Sequence, residues 1–189
     1  MERLSPRLLK GLQRSFLQIG LTADSKAPLF PSIKLELGEK GKPVDNPPAY
    51  FTKGWRQESW LLVGFRAFSQ SALDSWREIF CKVGKRLPVY EVTVNERFLD
   101  RLFVRFQRKR LPHGHLVYTP RPGEALFADF LTVMQIESRL NAYVYFLDRA
   151  ARVRWRAIGA PPINALATIE GLLCEYFDNA PQQQRWHSM

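Results

Sequence analysis

Two cysteines, three histidines and a surplus of arginine are what this chain offers for chemistry. Cys81 and Cys174 stand far apart and form no Cys-x-x-Cys pair, which argues against a disulfide framework and against a zinc site built on thiolates. Both are expected to be plain, partly buried thiols, the usual fate of free cysteine. His113 and His115 are two residues apart, a spacing from which two imidazoles can reach one metal ion on a strand. Their loop carries no acid, and no third ligand is in view. His187 is alone in the C-terminal tail. Glycines never cluster as a phosphate-binding loop, and no Ser/His/Asp pattern is legible. The sequence therefore points to no catalytic residue, no metal ligand, no cofactor and no small-molecule substrate.

The positive signal is charge. Lys plus Arg number 28 against 18 Asp plus Glu, a net of +10 with a pI near 9.9. Such a balance suits RNA, an anionic membrane surface or an acidic partner, and equally a mitochondrial matrix protein with no nucleic-acid role. Between residues 82 and 121, ten cations face only Glu91, Glu96 and Asp100. Arg97, Arg101, Arg105, Arg108, Lys109 and Arg110 belong to this run, on or just after a predicted helix with Phe98, Leu102 and Phe106 along one side. A solvated helix face is the ordinary reading of such a run. A docking face for phosphates or acidic side chains is the sharper one, which the guanidinium fork favours. Arg152, Arg154 and Arg156 alternate with Val153, Trp155 and Ala157, and so would extend the cationic face from a half-buried strand whose Trp155 points into the core. No RNA-binding aromatic motif or helix-turn-helix pattern accompanies them, so base reading is not indicated.

These residues must be positioned by the elements around them. Residues 1–20 set Leu4, Leu8, Leu12, Phe16 and Ile19 at helical spacing among Arg3, Arg7, Lys10 and Arg14. This basic amphipathic segment resembles a mitochondrial targeting peptide, with a docked surface helix as the alternative. Residues 21–56 form a Pro-rich arm in which 32–37 alternates as a short edge strand. Residues 59–65 read as a buried strand whose Gly64 implies a close backbone approach. A helix spans 71–83 on Leu73, Trp76, Ile79, Phe80 and Val83, ended by a left-handed Gly84. A strand over 87–94 follows, then a helix that Asn95 caps. Residues 112–122 read as a loop, 126–139 as a helix, and 143–147 as a strand apolar on both faces and hence central. A hairpin at 148–151 leads to the strand ending before Gly159. Residues 164–177 form the last helix, with Leu166, Ile169, Leu172, Leu173 and Phe177 inward, and 179–189 are a polar tail.

Strand, helix, strand, helix, hairpin and closing helix is the order of a thioredoxin-like domain. The expected fold is α/β, a βαβ unit plus a ββα unit, with a central mixed sheet flanked by helices over 57–178. In redox members the reactive thiols sit after the first core strand, where the helix dipole lowers their pKa. Here that stretch is Ala67-Phe68-Ser69-Gln70-Ser71-Ala72, without cysteine, and Cys81 falls at the wrong end of the helix. Leu140-Asn141-Ala142 replaces the proline usual before the third strand. The expectation is a thioredoxin-like scaffold without redox cysteines, and not an enzyme.

Ala142-Tyr143-Val144-Tyr145-Phe146-Leu147-Asp148, followed by Val153-Arg154-Trp155, resembles the signature of the mitochondrial ATP synthase assembly factor ten family. Arg105 to His115 is similar to that family's basic helix end and Pro/His loop, and Pro48-Ala49-Tyr50-Phe51 to its upstream aromatic segment. The likeness spans residues 48–177. The family's acidic Pro-Glu-Glu start to the last helix is replaced by Pro161-Pro162-Ile163-Asn164. The resemblance implies a non-redox chaperone of the mitochondrial matrix, compatible with peripheral inner-membrane contact. Its partner would be the membrane-embedded proton-channel subunit of the F-type ATP synthase. The alternative is a basic component or assembly factor of a mitochondrial ribonucleoprotein such as the mitoribosome, its cations on rRNA phosphates. Phosphate-backbone binding would weaken steeply with salt, which separates the two.

Overall fold

Strands form where apolar residues alternate or run together, and helices where the apolar spacing opens to three or four. The computed structural model describes residues 16–18, 20–31, 33, 35–37, 57–65, 67–84, 87–96, 115–120 and 123–178. Two short strands, β1 (Phe16–Leu17) and β2 (Leu35–Leu37), precede β3 (Ser59–Gly64), α1 (Ala67–Lys82), β4 (Val89–Val94) and β5 (His115–Tyr118). Then come α2 (Ala125–Val133), β6 (Tyr143–Leu147), β7 (Val153–Ile158) and α3 (Ala165–Asp178). All seven strands join one sheet in the order β1-β7-β6-β3-β4-β5-β2. β3, β4 and β5 run parallel, and every other neighbouring pair is antiparallel.

The predicted hairpin is present, with Phe146 opposite Trp155 and Tyr145 opposite Arg156. β3 and β6 are buried along their whole length, as two-sided apolar runs require. The two faces carry separate cores. Leu61, Val63, Val92, Val94, Tyr143 and Tyr145 pack against Phe130 and Met134 on one face, joined by Phe30 and Ile33 from the arm. On the other, Trp60, Phe146 and Trp155 form a row across three strands that meets Trp76 and Phe80 of α1 and Ile169, Leu172 and Leu173 of α3. Trp60 stacks on Phe80 at 4.6 Å between ring centroids and meets Trp155 edge-on at 5.9 Å. A buried aromatic ring removes roughly 150–250 Å² from water. At about 25 cal/mol per Å² that is on the order of 4–6 kcal/mol each as an upper bound, so this row contributes to holding α1 and α3 on the sheet.

Four local expectations are revised. Residues 115–118 are a strand, because Leu116, Val117 and Tyr118 have partners on both sides, in β4 and in β2. Phe16 and Leu17 belong to β1, paired with Ile158 and Ala157, so helical spacing there gives way to an available sheet edge. α2 stops at Val133. The Tyr145 hydroxyl donates to the Met134 carbonyl at 2.8 Å and Gln135 turns left-handed at φ 53°, which ends the helix early. Gly84 is not among the residues with positive φ, so it closes α1 without a left-handed turn. Gly64 does mark a close approach: a Cβ there would lie 2.6 Å from Ser69 Oγ and 2.9 Å from Leu73 Cδ1. The helix that Asn95 was expected to cap lies outside the described residues.

Candidate functional site

The carboxyl end of β3 and the first turn of α1 meet where an open parallel sheet exposes backbone and a helix N-terminus concentrates positive dipole. Gly64 lets α1 descend directly onto the strand end. The junction then reads Phe65, Arg66, Ala67, Phe68, Ser69, Gln70, with no thiol. Phe65 is buried and packs edge-on against Tyr143 at 6.5 Å. Ser69 is 2% exposed, so its hydroxyl is no accessible nucleophile. On the facing side, the Gly159 amide donates to the Ala142 carbonyl at 2.8 Å, and Trp76 Nε1 donates to the Gly159 carbonyl at 2.9 Å. Gly159 takes φ 82° to make that turn. No cis peptide bond occurs among the described residues. Asn95 and Asn141 flank the junction, and among the described residues Asn95 Nδ2 and Asn141 Oδ1 are buried without hydrogen-bond partners.

Cys81 and Cys174 lie elsewhere. Both are exposed, not partly buried as expected. Each follows a core residue, Phe80 and Leu173, and one helical step of about 100° carries the next side chain off the buried stripe. Cys81 is in the last turn of α1, far from the end where the dipole would favour a thiolate. Among the described residues no group of three His, Cys, Asp or Glu is placed to hold a metal ion.

The cationic face expected of β7 is not assembled. The register shifts between Phe146 and Leu147, whose partners are Trp155 and Val153. This bulge places Val153 in the core on Tyr145's side, while Trp155 and Ala157 enter the opposite one. The three arginines therefore do not share one outer face, and each is engaged within the molecule. Arg152 Nη1 donates to the Ala27 carbonyl at 3.2 Å. Arg154 Nε donates to the Thr22 carbonyl at 2.8 Å, its Nη1 pairs with Asp24 and lies 3.5 Å from Asp148 Oδ2, and its guanidinium sits 5.5 Å from the Tyr176 ring centroid. The Arg154 side chain is only 13% exposed. Arg156 lies over the Phe16 ring at 5.4 Å. Together with Trp155 Nε1, which donates to the Gln18 carbonyl at 2.8 Å, they latch residues 16–18 and 20–31 along the edge of β7. Backbone bonds complete the seam, with the Thr22 amide on the Arg154 carbonyl at 2.7 Å and the Val153 amide on the Pro28 carbonyl at 2.8 Å. Arg97, Arg101, Arg105, Arg108, Lys109 and Arg110 lie outside the described residues, as do His113 and His187.

Sequence reasoning missed the acidic side of this latch. Asp148 Oδ1 accepts from the backbone amides of Ala150 and Arg152, both at 2.9 Å, and Ala151 turns left-handed at φ 57°. An aspartate that ties its own downstream backbone thus shapes this turn, which holds neither asparagine nor glycine. Glu58 pairs with Arg149 at 2.8 Å. Burial, then the nearby Glu58 and Asp148 carboxylates, pushes the Tyr176 hydroxyl up to about 12, with Arg154 and Arg149 opposing. The available signal was Asp148 itself, the one acid between two apolar strands.

No protein-family model and no curated protein matches this sequence. Solved structures do. Yeast Sco1, described with copper bound, superposes with a TM-score of 0.54 at 12% identity, over 84% of this chain and 98% of that one. BsSco, of the Sco family of cytochrome c oxidase assembly proteins, gives 0.53 at 9% identity over 78% and 93%. A thio-disulfide isomerase from Thermus thermophilus gives 0.50 at 15% identity over 78% and 94%. At these identities the likeness concerns architecture alone, and with the sheet order above it establishes a thioredoxin-like fold for this chain.

Proposed function

We propose that this chain is a non-catalytic mitochondrial assembly factor that uses a thioredoxin-like frame to hold a protein partner. The observation that carries the non-catalytic part is the β3–α1 junction. Its positions at the helix N-terminus are taken by Phe65, Ala67 and a buried Ser69. Both thiols stand on other helix surfaces, away from the dipole that would activate them. The position from which a thioredoxin-like frame presents its attacking sulfur therefore carries none.

The partner assigned is the membrane-embedded proton-channel subunit of the F-type ATP synthase, in the matrix and in peripheral contact with the inner membrane. Its support is the likeness of the β6–β7 hairpin to the assembly factor ten signature. No helix among the described residues is long and apolar enough to cross a membrane. The engagement of Arg152, Arg154 and Arg156 within the fold removes three of the cations that a ribonucleoprotein reading needs.

Co-purification of the full chain from mitochondria at low and high salt tests the reading. ATP synthase subunits should be recovered at both, because a desolvated protein interface is far less salt-sensitive than a phosphate backbone. Recovery of rRNA and ribosomal proteins, lost at high salt and without ATP synthase subunits, would overturn it.

A further inference from the structure

β7 runs parallel to β3, since each is antiparallel to β6. α1 and α3 therefore both start at the β3–α1 junction end of the sheet and finish at the opposite end. There, between their C-terminal turns, a solvent-facing groove of about 440 Å³ opens. Val83 and Leu173 form a buried apolar floor, Phe177 a half-buried wall, and Cys174 an exposed thiol within it. Glu170 and Asp178 stand on the rim.

Among the described residues that line this groove the only charges are acidic. α3 carries Glu170, Glu175 and Asp178 and no cation in its 14 residues, on a protein of net charge +10. Glu170 and Asp178 have no ion-pair partner among the described residues, and Lys82 in the last turn of α1 does not line the groove. Helix energetics do not account for Asp178, which sits in the last turn of α3, where a carboxylate opposes the dipole and a cation would be favoured. Two unpaired carboxylates beside an apolar floor are what a helix-in-groove site for a basic amphipathic segment needs.

We propose that this groove docks a cationic amphipathic helix of a partner protein, aliphatic side chains on Val83, Leu173 and Phe177 and Lys or Arg against Glu170 and Asp178. The inference stands apart from the identity of the assembly partner. It rests on the groove alone.

The exposed thiol gives a local readout. In the full chain carrying Cys81→Ser, Cys174 is the sole cysteine. The rate at which a maleimide modifies it is measured against increasing concentrations of an 18-residue leucine–lysine amphipathic peptide, with a leucine–glutamate peptide of the same pattern as control. The lysine peptide should slow labelling saturably and the glutamate peptide should not. Glu170→Lys with Asp178→Lys, both exposed and checked by melting temperature, should raise the half-protecting concentration about tenfold, as expected of two rim pairs reversed in sign. No protection, equal protection by both peptides, or protection unchanged in the reversed chain would overturn the proposal. So would faster labelling without peptide when Arg3, Arg7, Lys10 and Arg14 are changed to Glu, which would assign the groove to this chain's own segment. A concentration-dependent dimer that shields Cys174 would assign it to a second copy and overturn it equally.

Discussion

Tyr145 offers the sharpest test of how the Tyr-Val-Tyr signature works. Its ring is 1% exposed, and its hydroxyl donates at 2.8 Å to the Met134 carbonyl, one of the groups the end of α2 leaves without an intrahelical partner. Tyr145→Phe removes one net hydrogen bond, about 1 kcal/mol, and leaves that carbonyl buried and unpaired, an additional cost of up to about 1–3 kcal/mol. A total near 2 kcal/mol should lower Tm by about 4–8 °C in a chain of this size. Tyr118 is the internal control. It is equally buried, but among the described residues its hydroxyl has no hydrogen-bond partner. Tyr118→Phe should therefore leave stability within about 0.5 kcal/mol or raise it, since an unpaired buried hydroxyl is itself unfavourable. Urea titration followed by circular dichroism reads both, and the m-value should stay constant. If Tyr145→Phe melts within about 1 °C of the parent, or Tyr118→Phe loses as much as Tyr145→Phe, the motif's tyrosines do not act by anchoring α2.

Burial, with Tyr143 adding and Arg156 opposing, holds the Tyr145 hydroxyl well above its ordinary pKa of 10. Its contribution is therefore complete below pH 10 and is lost as pH rises through the native value. Stability should fall by about 1.4 kcal/mol per pH unit for each tyrosine so protected, with a shallower slope in Tyr145→Phe. Gly64→Ala drives a methyl into Ser69 Oγ and Leu73 Cδ1 and should cost about 1–3 kcal/mol in denaturant titration, because both buried side chains have to shift within a packed core. Arg154→Met removes the bonds to Thr22, Asp24 and Asp148, so hydrogen exchange at the Thr22 amide should accelerate well before global unfolding. Cys81→Ser with Cys174→Ser should keep stability within about 0.5 kcal/mol and keep function in a complementation assay. Loss of function in the folded double variant would refute the non-redox assignment.

The central strands and packing helices were legible because their periods are unambiguous. Tyr143 to Leu147 is apolar on both faces and lies between β3 and β7. Leu73, Trp76 and Phe80 mark the face of α1, and Ile169, Leu172 and Leu173 that of α3, all buried as the spacing requires. Legibility failed where pairing partners decide the outcome. Phe16 falls on the helical stripe of Leu4, Leu8 and Leu12, yet Phe16 and Leu17 pair with Ile158 and Ala157 along the edge of β7. Leu116 to Tyr118 follow a Pro-Gly stretch that reads as loop, and only the presence of β4 and β2 makes them a strand. The groove between α1 and α3 left no mark in sequence, because Val83, just past the end of α1, and Leu173 of α3 are separated by most of the domain.

A spacing of two on a strand defines a surface only if the register stays regular and nothing lies against that surface. On β7 both conditions fail. The bulge opposite Phe146 and Leu147 turns Val153 to one core and Trp155 to the other, and residues 16–18 and 20–31 lie along the edge where Arg152, Arg154 and Arg156 find their partners. The most recognisable residues of this chain are thus its most internal ones. Tyr143 bonds Ser138 in both directions at 2.9 Å, Tyr145 ends α2, and Trp155 holds Gln18. Residues so placed hold the frame and its latch together and make no direct contact with a partner. Whatever selects the partner has to sit on side chains that the fold leaves free. Among the described residues the unpaired carboxylates beside the apolar floor at the end of α3 meet that requirement, and the arginines of β7 do not.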